Sequence, residues 1–126
     1  MDALFYSTSQ LGGEPDAIPP HAGVDLNEQL VRNRPATFFM RVNSTSMLGA
    51  GIHKGDVVIV DRSLEADNGR VVIAMLNGEM LIRRLETSNG RRRLLPATDK
   101  LAPIDVPDGA SFQVWGVVTY VIRSMG

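Results

Sequence analysis

The chain has 126 residues, with 13 Lys plus Arg against 14 Asp plus Glu, a formal net charge of −1 and no cysteine. Such a length suits a single domain. A charge near zero argues against fold-wide attraction to DNA or to an anionic membrane, and the absence of cysteine excludes disulfides and thiolate metal sites. Hydrophobic residues make up 44%, enough for a globular core without such staples.

Residues Met1 to Gln10 show no basic start followed by an apolar run, and no stretch reaches the roughly 20 apolar residues of a membrane helix. The expectation is a cytoplasmic protein with no membrane partner. Residues 1–23 hold Gly12-Gly13, Pro15, Pro19-Pro20 and Gly23 and few periodic apolar positions, which predicts a flexible extended arm. The folded domain is expected over 24–126. Asp25 can cap a short helix through about Asn33, with Leu26 and Leu30 inward and Pro35 marking its end.

Strands follow. Thr37 to Val42 alternates, with Phe38, Met40 and Val42 on one face, and the run Val57-Val58-Ile59-Val60 within Asp56 to Val60 suggests a strand covered on both faces. Val71 to Leu76, the turn Asn77-Gly78 and Glu79 to Leu85 read as a hairpin. A second hairpin passes through Ser88-Asn89-Gly90 into Arg91 to Pro96. The last strand is expected over Phe112 to Arg123, with Phe112, Val114, Val118, Tyr120 and Ile122 on one face and Trp115, Val117 and Val121 on the other. Two apolar faces fit either a strand central to the subunit or one that meets a second chain.

Residues Asn43 to Asp56 join two strands and are rich in small residues. Ser46 here would sit exposed at a strand edge, backed by N–H groups, a setting that suits a nucleophile. On composition alone a plain turn is the better reading of the segment. Its order is more telling: Ser46-Met47, Gly51-Ile52, Gly55-Asp56 and a Val/Ile run ending at Val60-Asp61. With Gly69 to Ala74, Gly78 to Leu85, Leu94-Leu95-Pro96, Ala102-Pro103-Ile104 and Val114 to Val118, this resembles the UmuD/LexA family of Ser-Lys self-cleaving proteins. Val24-Asp25-Leu26-Asn27 resembles the UmuD branch.

The resemblance implies a mostly β fold of the LexA/signal-peptidase type, Ser46 as nucleophile with Ser44 and Met47 near its oxyanion and substrate side, and no metal or cofactor. It implies a self-cleavage site at Leu11-Gly12, or else Gly12-Gly13, although those glycines are equally readable as a hinge. It implies a homodimer through Val114, Val118, Tyr120 and Ile122. The implied partners are a UmuC-type translesion polymerase and the RecA filament, with DNA contacted only indirectly. About twenty residues of arm are too few for a helix-turn-helix. The alternative is the dimerisation and autocleavage domain of a LexA-like or phage-type repressor that lacks its DNA-binding part.

Two places depart from the family: neither candidate cleavage bond has the usual Ala or Cys before Gly, and the base position differs. The general-base lysine falls at Arg83, and a guanidinium offers donors but no base. Three readings follow: a naturally silent relative, a lysine-to-arginine exchange made by design, or a base located elsewhere. The other candidates are Lys54 and Lys100, the only lysines, and His21 and His53. Arg83, Arg84, Arg91, Arg92 and Arg93 share one hairpin, as an anion contact or as a solvated flank. Met40, Met47, Met75 and Met80 read as core filler.

Overall fold

Runs of β-branched and aromatic residues become strands wherever neighbours can pair with them. The computed structural model describes residues 3–7 and 36–125. Among these residues, eight strands form one antiparallel sheet: β1 (Ala3–Ser7), β2 (Thr37–Val42), β3 (Val57–Asp61), β4 (Val71–Leu76), β5 (Glu79–Ser88), β6 (Arg91–Leu95), β7 (Ile104–Val106) and β8 (Phe112–Ile122). Their order is β1-β2-β3-β8-β4-β5-β6-β7. The sheet is curled, because β1 approaches β5 across four intervening strands. This is the mostly β architecture expected. The helix expected at Asp25 to Asn33 and the bonds at Leu11, Gly12 and Gly13 lie outside the described residues.

β2 and β4 have the expected bounds. β5 runs on to Ser88, because β6 pairs with it from Arg84 to Ser88. β7 was not anticipated: it has three residues between Pro103 and Pro107, too short for a periodic signal. β1 lies in the segment expected to be an extended arm and pairs with β2 from Ala3↔Val42 to Ser7↔Phe38. Both tight turns form as read, with φ of 49° and 82° at Asn77 and Gly78 and of 52° and 75° at Asn89 and Gly90, the left-handed pair a type I′ hairpin needs.

The expected faces of the last strand need correction. β8 carries two bulges. Ile73 pairs with Gly116 but Ala74 with Val114, leaving Trp115 extra. Ile59 pairs with Tyr120 but Val60 with Val118, leaving Thr119 extra. Each extra residue inverts the alternation, so Val117 joins the face of Phe112 and Val114, and Val118 joins that of Trp115. The second bulge restores the original phase, with Tyr120 on the first face and Val121 on the second. Side chains complete both irregularities. Arg62 Nε donates to Trp115 O at 2.8 Å, with its guanidinium 4.4 Å from the indole centroid. Thr119 Oγ1 donates to Ile59 O at 3.2 Å.

Apolar clusters fill both faces. Met40, Val42, Met47, Ile52, Val58, Val60, Ile73 and Ile82 form one, so the segment after Ser46 helps cover that face. Val72, Ala74, Leu81, Leu85, Leu94 and Val117 form the other, with Ile104 and Val106 of β7 against it. Of the four methionines read as core, Met40 and Met47 are buried and Met75 and Met80 half-buried.

Beside the first bulge the strands pack closely. A Cβ on Gly116 would lie 2.5 Å from Val60 Cγ1 and 3.4 Å from Asp61 O. Gly116→Ala is expected to cost about 1–3 kcal/mol by overpacking. Urea unfolding checks this, through a lowered midpoint at unchanged slope.

Candidate active site around Ser46

The segment after β2 leaves the sheet and returns to it through a closed neck. Val42 N–H donates to Asp56 O and Gly55 N–H to Val42 O, each at 2.8 Å. Inside this loop a short 3-10 helix, Leu48–Ala50, follows Ser46. Met47 O accepts the N–H groups of Ala50 and Ile52. The Met47 side chain faces the core, so this residue anchors the turn through both backbone and side chain.

A second pair of backbone bonds docks the turn. Ala97 N–H donates to Ser46 O at 2.8 Å, and Gly49 N–H donates to Ala97 O at 2.7 Å. β6 leaves β5 beyond Arg84, and the chain after Leu95 carries Ala97 to the turn. Ser46 thereby comes to lie beside Ile82 of β5. Its hydroxyl donates to Ile82 O at 3.3 Å, and Ser44 Oγ is 2.9 Å from Ser46 Oγ. Arg83 Nη1 donates to the same Ile82 O at 2.8 Å. Serine hydroxyl and guanidinium thus converge on one carbonyl oxygen.

The expected exposure of Ser46 is overturned. Its relative exposure is 1%, and that of Arg83 is 7%. The docking bonds to Ala97 and the cover given by Ser44 and β5 account for this. The remaining candidate bases are placed differently. Lys54, His53 and Lys100 are exposed. None of the three is hydrogen-bonded to Ser46; the backbone N–H of His53 donates to Asp56 Oδ2 at 2.8 Å. Arg84, the neighbour a one-residue slip would bring in, is exposed and donates to Gly69 O. His21 lies outside the described residues.

The arginine-rich hairpin is no single patch. Arg83 points inward, Arg93 pairs with Glu86 and Asp105, and Arg92 lies over Phe112 at 4.5 Å. Among the described residues no group of His, Asp and Glu is arranged to hold a metal ion, and no helix is long and apolar enough to cross a membrane.

Sequence reasoning missed what braces the loop from outside. Asp56 is buried and takes Arg123 Nε on Oδ1 and Arg123 Nη2 on Oδ2, each at 2.9 Å. Arg123 Nη2 also donates to Gly51 O at 2.6 Å. The residue after β8 is therefore bonded to both sides of the Gly51–Asp56 turn. The Arg123 hydrogen bonds hold the Asp56 carboxyl below its ordinary value, against the opposing effect of burial. No short-range pattern announces a partner 67 residues away.

Residues 5–119 match the model of the Peptidase S24-like family. The chain belongs to that family. Among relatives, it is 40% identical to Protein MucA of Salmonella typhimurium over 92% of this chain and 81% of that protein. It is 38% identical to LexA repressor 1 of Xanthomonas campestris pv. campestris over 97% of this chain and 63% of the repressor. It is 42% identical to the LexA repressor of Syntrophotalea carbinolica over 68% and 43% of the two chains. The UmuD/LexA resemblance read from about Val24 onward is thus a true kinship.

Two predictions follow from the geometry of this S24-like site. A Cβ on Gly49 would lie 2.7 Å from Ala97 O, so Gly49→Ala must break the docking bonds. Hydrogen exchange at the Ala97 and Gly49 amides is expected to accelerate, with the β3 amides unchanged. For Asp56, a lowered folded value means that its stabilisation is present above the ordinary carboxylate range and lost as pH falls through the folded value. Thermal melts of the wild-type chain should therefore show a fall in stability on acidification below about pH 4 that is smaller in Asp56→Asn.

Proposed function

We propose that the chain is a UmuD-type regulatory subunit of the SOS response, with a self-cleavage site kept in shape and silenced in chemistry. The observation that carries this reading is the meeting of Ser46 and Arg83 at the Ile82 carbonyl. In a working site of this kind, the serine oxygen attacks the carbonyl carbon of the scissile bond. A neutral lysine takes the hydroxyl proton and passes it to the leaving amine, and water then hydrolyses the ester. Arg83 is already fully protonated and takes no proton. The bond such a site would address is Leu11-Gly12 or Gly12-Gly13.

The subunit is cytoplasmic, acts as a homodimer, binds a UmuC-type translesion polymerase, responds to the RecA filament and meets DNA only through its partners. The 40% identity to Protein MucA, which extends over most of both chains, supports this assignment. Dimerisation is supported by the second half of β8. From Val118 onward this strand pairs only with β3 among the described strands. Tyr120, Val121 and Ile122 are 38%, 40% and 41% exposed, and an open edge carrying apolar side chains favours a second strand. The alternative, the dimerisation and autocleavage domain of a LexA-like repressor, is favoured by the 97% of this chain that aligns with LexA repressor 1.

Intact-mass spectrometry at rising pH, with and without RecA filament, tests the site. The wild-type chain and Ser46→Ala should keep their mass, whereas Arg83→Lys should lose the arm near Gly12, faster as pH rises. Cleavage of the wild-type chain that Ser46→Ala abolishes would mean that another base is at work. For the interface, Val121→Asp should convert a dimer to a monomer in light scattering, and an unchanged dimer mass would count against β8.

A further inference from the structure

Beyond the place on the oxyanion and substrate side that the family resemblance implies for it, the hydroxyl of Ser44 lies against the reacting atom itself. Ser44 is half-buried, two residues before Ser46, where the chain has left β2 and not yet entered the 3-10 helix. Thr45 between them is exposed, so the two serines turn to the same side.

The hydrogen bonds link the direction of one donation to the other. Ser46 Oγ–H donates to Ile82 O, which uses the only proton that hydroxyl has. Ser44 Oγ accepts the Ser46 N–H in a long bond of 3.4 Å. Either hydroxyl can donate across the 2.9 Å contact between them; whenever Ser46 gives its proton to Ile82 O, Ser44 is the donor and Ser46 Oγ the acceptor. A chain of donation runs from Ser44 to Ser46 to Ile82 O. It fixes the Ser46 oxygen between two elements and leaves it one lone pair.

We infer that Ser44 is an auxiliary donor to the nucleophile, which holds Ser46 Oγ in its attacking position and stabilises the negative charge that grows there as the proton leaves. The inference rests on the reading of Ser46 and position 83 as a Ser-Lys site. A neutral donor aimed at developing charge in a buried place acts most when charge is greatest. It therefore speeds the step without setting the pH at which the base becomes neutral. Arg83, by donating to Ile82 O, leaves this arrangement undisturbed, so the hydroxyl pair persists in the silent chain.

The test compares self-cleavage rates across pH in the full chain for Arg83→Lys, Arg83→Lys with Ser44→Ala, and Arg83→Lys with Ser44→Thr. The alanine variant is expected to lower the plateau rate about tenfold with the rising limb at the same pH, and threonine to restore it. A loosened pocket would instead admit water to the lysine and move the limb to higher pH. A plateau within about twofold of Arg83→Lys, a limb that moves upward, or a loss that threonine leaves in place would each overturn the role of Ser44 alone. If Arg83→Lys itself stays uncut while its melting curve shows a folded chain, the Ser-Lys reading fails and this inference falls with it.

Discussion

Everything distinctive about this molecule depends on how one turn is docked on one strand. Ala97 and the pair Ser46 and Gly49 exchange two backbone hydrogen bonds. These bonds set Ser46 beside Ile82 to a tolerance that no surface loop would reach by itself. The docking requires a residue without Cβ at position 49 and a chain that turns at Pro96 to bring Ala97 back. It also explains why the serine is buried: a hydroxyl held against a strand carbonyl has little surface left. The apolar cluster beneath, with Met47 and Ile52 as its loop members, converts this local geometry into global stability, since the loop cannot lift without exposing them.

Arg83 occupies the middle of this arrangement. Leu81 and Leu85, two residues to either side on the same strand, both pack in the second apolar cluster, so the guanidinium rises between aliphatic neighbours. Burying a permanent charge is costly unless it is hydrogen-bonded, and the Ile82 carbonyl serves Arg83 as it serves Ser46. A lysine at this place would face the same surroundings with the option of shedding its proton. The fold accommodates a buried arginine here, whereas the role of a base requires a group that can become neutral.

Much of the sheet was legible because its signals are local. Thr37 to Val42 and Val71 to Leu76 declare themselves by composition, and the two Asn-Gly pairs by their backbone demands. Trp115 and Thr119 gave no such sign: each bulge falls within the ladder to a distant partner strand, β4 for the first and β3 for the second. Reading straight through them exchanged Val117 and Val118. Ser46 and Arg83 were legible only through kinship, since composition makes the one a turn serine and the other part of an arginine-rich hairpin. The burial of Ser46 was misread because its cover comes from Ala97, fifty-one positions further on, and the Asp56 to Arg123 bond was hidden for the same reason.

The place of β8 in the order of strands bears on how the molecule is made. β8 lies between β3 and β4, yet it leaves the ribosome after every other strand described. Until it arrives, β1, β2 and β3 form one half-sheet and β4 to β7 another, with no shared ladder between them. The two halves must wait with apolar faces open, and such waiting edges are the ones that stick to other chains. Closure by β8 and the Arg123 brace then come almost together. Loss of the last stretch of message would therefore spare seven strands and still yield no single sheet.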